Sequence, residues 1–367
     1  MYRTGQWIAL FAFLGGCSAG ASEGSPAATS DGATANPKPG ANTGPAAGTA
    51  TPAAAPGSSS GATSGGSTPA QPAAGQPTDM MGTAGSGATP AVEPGPQGDC
   101  DMLSLEKSHE VAVGKTLTLC AGATIKAAAG AQLIVRGTLV TNGTAAQPVT
   151  IDGTTGAIGS WGGLVVMSGG NAKLNYTTLL SATMPVDAQA GSVFAFDHMV
   201  IKNSTMLMKI ASSGSITNST ITGTGMTALA APITITAASP TFTDVLMEKG
   251  GPLADMVDVY DAKSTPVFDH VDISGVHCAI HMNQATNTVI KNSYLHDVAY
   301  GVMVLASTGT KVEHNNFKTN QNHVGLCLGG TATLSDNSFD KAPFDSSCTA
   351  IVNGTPAAAP FTDVGVR

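Results

Sequence analysis

The chain is 367 residues long, carries a net charge of −8, and is only 11% charged and 5% aromatic, against an ordinary charged fraction of about 25%. It has no basic run, which argues against nucleic acid or an anionic bilayer surface as a partner. The 45 Gly and 21 Pro are unevenly spread, so one compact domain is excluded. Past the first segment, no apolar stretch approaches the roughly 18–20 residues that a membrane helix needs.

Residues 1–17 read as an export signal. Arg3 supplies a positive start, and Trp7-Ile-Ala-Leu-Phe-Ala-Phe13 is an apolar run too short to span a bilayer. Leu14-Gly-Gly-Cys17 follows directly and resembles a bacterial lipobox, in which the Cys thiol receives diacylglycerol before cleavage. The resemblance implies lipid attachment at Cys17 and a membrane partner through that anchor. Ser18, rather than Asp, follows the Cys. By resemblance to Gram-negative sorting, this implies an outer-membrane lipoprotein of the cell envelope, on its surface or its periplasmic face.

Residues 18–98 are almost wholly Ala, Gly, Pro, Ser and Thr. Such a segment cannot bury enough apolar surface to offset its ordering entropy, so a disordered linker is expected. A flexible chain of that length reaches roughly 50 Å.

Residues 99–367 are repetitive. A six-residue pattern (apolar, polar, Asn/Asp/His, small or Val, any, apolar) begins at Leu174, Phe196, Ile216, Phe242, Phe268, Ile290, Val312, Leu334 and Phe361. Successive copies are 22, 20, 26, 26, 22, 22, 22 and 27 residues apart. A spacing held near 22, with slack taken up in loops, is what the stacked coils of a parallel β-helix require. In each copy the first apolar residue points inward and the chain then turns sharply, where Asn, Asp and Ser fit a left-handed backbone. Ser293, Asn315 and Asn337 fall at one position of the pattern and are expected to stack as a polar ladder over the turn. A second strand per coil alternates in and out: Ile233-Thr-Ile235, Val257-Asp-Val259, Ile280-His-Met282, Val302-Met-Val304 and Leu326-Cys-Leu328.

Upstream, the stack starts with Val111 to Ile125 and continues through Gln132 to Leu139, Pro148-Val-Thr-Ile151 and Trp161-Gly-Gly-Leu-Val-Val166. This stretch resembles the first coils of bacterial right-handed β-helix proteins of the pectate-lyase-like superfold, and the resemblance covers about residues 110–367. It implies an all-β, right-handed parallel β-helix (a solenoid) of about a dozen coils. It implies little about function, since the same coils carry enzymes and adhesins. Residues 99–110, with Cys100, are expected to cap the open end, and the ninth hexapeptide is expected to end the stack.

With Cys17 committed to lipid, five cysteines remain, and disulfides are expected in an exported protein. Cys100 with Cys120 would staple the cap to the first coil. Cys327 and Cys348 are 21 apart, about one coil, although strand alignment puts Cys348 about three residues out of register. Cys278 then reads as a small buried residue. No spacing resembles a zinc site, so neither metal nor cofactor is expected.

The enzymes of this superfold use an Arg or Lys base beside Asp-bound calcium, clustered Asp residues, or an Asp pair with Arg. Here the solenoid holds only Arg136 and Arg367 and no Asp-Asp dipeptide, so none of those sets carries over. The catalytic candidates are His281, His296 and Asp297. His281 falls in an outward column with Asp258, Met303 and Cys327, and His277 and His323 lie in nearby loops; His and Asp in reach of each other could do acid–base work or hold a metal. The bland reading is a solvated polar face. Tyr260, Tyr294 and Tyr300 could stack on sugars. The expectation is therefore a non-catalytic scaffold presenting its face to a polysaccharide or another envelope protein. The alternatives are a carbohydrate-active enzyme with an atypical site around His281 and a purely structural spacer.

Overall fold

The computed structural model describes residues 100–101, 103–224, 232–341, 352–353 and 359–366. The lipobox with Cys17, the linker over 18–98 and Cys348 lie outside them. Contacts divide the chain into Met1–Ser86 and Gly87–Arg367, and every described residue belongs to the second unit.

Among the described residues all regular elements are strands, arranged as a ten-stranded and an 18-stranded sheet. Neighbours pair in parallel one coil apart, as in Ile280 beside Val302 and Val302 beside Val324. One coil comprises Val289–Lys291, Tyr294–His296 and Tyr300–Leu305; the next comprises Thr310–Glu313, Asn316–Lys318 and Asn322–Cys327. The described residues thus form a parallel β-solenoid of about ten turns, each contributing one strand to the ten-stranded sheet.

The hexapeptide is the corner between the two strands of the larger sheet. Its first residues from Leu174 to Leu334 are buried, and so are its sixth residues from Leu179 to Phe317. Its third residues, Tyr176, His198, Asn218, Asp244, His270, Asn292, His314 and Asp336, all have φ between 43° and 56°. That left-handed backbone costs an L-residue about 1–2 kcal/mol and is tolerated best by Asn and Asp, which explains the composition of the column.

The fourth residues face inward. Where they are Ser219, Val245 and Val271, the strands Gly214–Thr222, Thr241–Gly251 and Val267–Val276 run unbroken through the corner. Where they are Ser293, Asn315 and Asn337, the strand is interrupted and the side chain supplies the missing hydrogen bonds. Ser293 N donates to Asn315 Oδ1 at 2.8 Å, and Asn315 N to Asn337 Oδ1 at 3.0 Å. Asn315 Nδ2 donates to Ile290 O at 3.0 Å and Asn337 Nδ2 to Val312 O at 2.7 Å. The ladder therefore lies buried inside the corner rather than over it.

At the N-terminal end, Cys100 and Cys120 form a disulfide with Cα atoms 5.6 Å apart. Asp101 N donates to Thr118 O, and Thr118 N to Asp101 Oδ2. Leu105 is fully buried and bridges to Ala127, while His109–Val111 already pairs with the stack. The ninth hexapeptide, by contrast, is not a coil. Phe361 lies on His314 with ring centroids 3.8 Å apart, its backbone is held by the Asn316 side chain, and Gly365 N donates to Asn292 O. Residues 361–365 thus run back along the outside of the corners, with Val366 44% exposed. The pattern encodes a turn flanked by apolar residues, and that feature alone does not supply strand partners.

Candidate functional site

The corner preceding each strand of the ten-stranded sheet is itself stacked: His277 N donates to Ala254 O, Met256 N to Cys278 O and Tyr300 N to His277 O, each at 2.8 Å. This places Asp255, just before strand Val257–Tyr260, next to His277 and Cys278 on the following coil. Within the sheet Asp258 pairs with His281, so both project from the outer face side by side.

The Asp255 carboxylate is the centre of the cluster. Its Oδ1 accepts the Cys278 N–H at 3.0 Å and lies 2.9 Å from His277 Nδ1, and its Oδ2 lies 2.9 Å from His281 Nδ1. Cys278 Sγ is 3.3 Å from His277 Nδ1. Asp258 Oδ1 is 3.2 Å from His281 Nδ1, while Oδ2 accepts the Tyr260 hydroxyl at 2.7 Å. Tyr300 meets His277 edge-on at 5.8 Å.

Burial opposes charge on His281, but the hydrogen bonds and charges of Asp255 and Asp258 outweigh it and hold the imidazolium up to about 9. Burial would likewise raise Asp255, yet the two imidazoles hold its carboxyl well below the usual range. Burial, then Asp258, push the Tyr260 phenol upward. His281 is thus a retained cation at neutral pH, and Tyr260 a donor rather than a base.

The other candidates lie apart. His296 is on the larger sheet, its Nε2 3.0 Å from Asp272 Oδ1 and its Nδ1 2.6 Å from Asp297 Oδ2, with its ring stacked on Tyr294 at 4.1 Å. Asp297 Oδ1 accepts the Thr319 hydroxyl. This is a clamp across consecutive corners, with both ring nitrogens engaged. His323 is not in a loop; it is fully buried within Asn322–Cys327, its Nε2 2.9 Å from Asp340 Oδ1. The outward column also differs from expectation: Met303 pairs with Gly325, and Cys327 with Leu305. The Met303 side chain lies over Gly325, where a Cβ would come 2.9 Å from its Sδ. Cys327 is disulfide-bonded; Cys348, the partner expected for it, lies outside the described residues. Asp255 was not singled out in the sequence, although Asp255-x-x-Asp258 and His277-Cys-x-x-His281 are about one coil apart.

No protein-family model matches the chain, and no curated protein matches it. Among solved structures, the crystal structure of an alginate lyase from Paenibacillus sp. str. FPU-7 is similar, at 15% identity and a TM-score of 0.35, over 68% of this chain and 90% of that one. What the chain is rests on its own strand pairing, which makes the described residues between Leu105 and Phe339 a parallel β-solenoid.

Proposed function

We propose that this chain is a non-catalytic envelope lipoprotein, anchored through Cys17, whose solenoid presents its outer faces to a polysaccharide or a neighbouring envelope protein. Repetition is the observation that carries the reading. Of the eight histidines, seven (His198, His270, His277, His281, His296, His314 and His323) lie within 3.4 Å of an Asp carboxylate. A catalytic dyad occurs at one coil; a pairing repeated along the stack is a way of neutralising and fixing polar groups on a charge-poor rod. The scarcity of Arg removes one means of stabilising an anionic transition state.

One observation favours a second reading, a carbohydrate-active enzyme at His281. Only at Asp255, among the described residues, do two histidines share one carboxylate beside a tyrosine hydroxyl network. The two readings separate in one experiment. Purified full-length protein is incubated with insoluble cell-wall and capsule polymers and with soluble acidic polysaccharides, with and without calcium. The scaffold reading expects retention that survives His281→Ala and His296→Ala, and no unsaturated or reducing ends. Sugar release that disappears with His281→Ala would replace it with the second. Cys17→Ser is expected to move the protein from the membrane to the soluble fraction; unchanged fractionation would remove the anchor.

A further inference from the structure

The Asp255 cluster brings nitrogen, sulfur and carboxylate oxygen atoms together around two shared points. At His277 both Asp255 Oδ1 (2.9 Å) and Cys278 Sγ (3.3 Å) approach the same nitrogen, Nδ1. At His281, Asp255 Oδ2 (2.9 Å) and Asp258 Oδ1 (3.2 Å) again converge on Nδ1. A catalytic triad engages the two nitrogens of its histidine on opposite sides; here three donor atoms face one point, twice. Within each triad all three atoms lie within 4.8 Å of one another. Asp258 is only 8% exposed, and its Oδ1 is aimed into the cluster, 3.2 Å from His281 Nδ1.

We propose that these residues bind two zinc-class divalent cations bridged by the Asp255 carboxylate. One ion would be held by Asp255 Oδ1, His277 Nδ1 and Cys278 Sγ, the other by Asp255 Oδ2, Asp258 Oδ1 and His281 Nδ1, with the His281 and Cys278 protons released to solvent as the ions bind. Imidazole, thiolate and carboxylate together suit zinc or cobalt rather than calcium or magnesium, which take all-oxygen shells. Tetrahedral zinc, with bonds of about 2.0–2.3 Å, separates its ligand atoms by roughly 3.3–3.6 Å. The hydrogen-bonded separations above need only open by a few tenths of an ångström. The supporting contacts are in place: the Cys278 N–H orients Asp255, and the Tyr260 hydroxyl holds Asp258 Oδ2, leaving Oδ1 for the ion. The inference does not depend on the scaffold reading, since a metal can serve structure, binding or catalysis.

The test is zinc titration of chelator-stripped full-length protein by calorimetry, with bound metal counted by mass spectrometry. Wild type is expected to hold two more ions per chain than Asp255→Asn, and Asp258→Asn one fewer than wild type. His296→Gln, which alters the other His–Asp cluster, is expected to leave the count unchanged. With cobalt(II), a thiolate-to-metal charge-transfer band is expected and should vanish in Cys278→Ser. That reading stands even if Asp255→Asn fails to fold. Equal ion counts in wild type and a folded Asp255→Asn, or a cobalt spectrum indifferent to Cys278→Ser, would overturn the proposal. A deficit of a single ion in folded Asp255→Asn would overturn the bridged pair.

Discussion

Asn315 offers the sharpest test of how the corners are held. Its side chain is fully buried and replaces backbone pairing where the strand breaks between Glu313 and Asn316. Asn315→Ala removes the acceptor of the Ser293 N–H and the Nδ2 donor to Ile290 O. A buried backbone group left unsatisfied costs about 1–3 kcal/mol, so with some packing loss the change should cost about 2–4 kcal/mol. Asn315→Asp separates hydrogen bonding from shape. It keeps an acceptor for Ser293, but its second oxygen faces Ile290 O at 3.0 Å and Asn337 Oδ1 at 2.9 Å. Buried among acceptors, that carboxyl should titrate above the usual ~3.9 for Asp. Its penalty relative to wild type at the same pH is therefore present above the raised pKa and shrinks as pH falls toward the unfolded value, because the protonated acid can donate where Nδ2 did. Unfolding in urea at several pH values, with hydrogen exchange at the Ser293 amide, measures both effects. An Ala cost below about 1 kcal/mol, or an Asp penalty that does not shrink in acid, would refute the account of the ladder.

Ile290, buried in one interior stack with Phe268 and Val312, should not tolerate Asp, whereas Lys311→Glu on the exposed side of the same ladder should shift stability by less than about 0.5 kcal/mol; urea midpoints of the two variants decide the in–out assignment. Replacing both Cys100 and Cys120 by Ser opens a link of sequence separation 20 and should cost about 3 kcal/mol. Because a solenoid couples only neighbouring coils, the loss should appear as faster hydrogen exchange in Thr116–Cys120 but not in Asn322–Cys327. Burial opposes charge on His296, but Asp272 and Asp297 outweigh it and raise its pKa. Its stabilisation is therefore complete below the unfolded value of about 6.5 and lost as pH rises through the folded one, so the stability difference between wild type and His296→Gln should decline with rising pH across that window; a flat difference counts against the clamp.

The fold was legible because a solenoid writes its period into the chain. Each coil must place an apolar residue, a left-handed corner and a second apolar residue at nearly fixed intervals, and the positive φ of Asn218, Asp244, Asn292 and Asp336 is what the Asn/Asp enrichment encodes. The same local code explains the errors. Phe361-Thr-Asp-Val-Gly-Val366 satisfies the pattern, yet its backbone is held by the Asn316 side chain rather than by a strand. Leu326-Cys-Leu328 alternates like a strand, but Leu328 is 79% exposed with φ 50°. The register pairs Met303 with Gly325, a cross-coil relation that no alternation within one strand records.

The site was half legible for a related reason. His281 and Asp258 lie in the sheet, where alternation points them outward, and the sequence pairs them. Asp255 lies in the corner before the strand, where side-chain direction follows from stacking of Ala254, Met256 and Cys278 backbones across coils rather than from a period of two. Reading the coils as a stack, not as separate strands, supplies the missing rule: residues about 22–26 apart are neighbours wherever corners stack. By that rule Asp255 meets His277, and Asp272 meets His296. One pair belongs to a cluster whose donors converge on shared points, and the other to a clamp whose imidazole is bonded at both ends. It is this difference in how the histidine nitrogens are used, rather than the number of polar residues present, that singles out the Asp255 cluster.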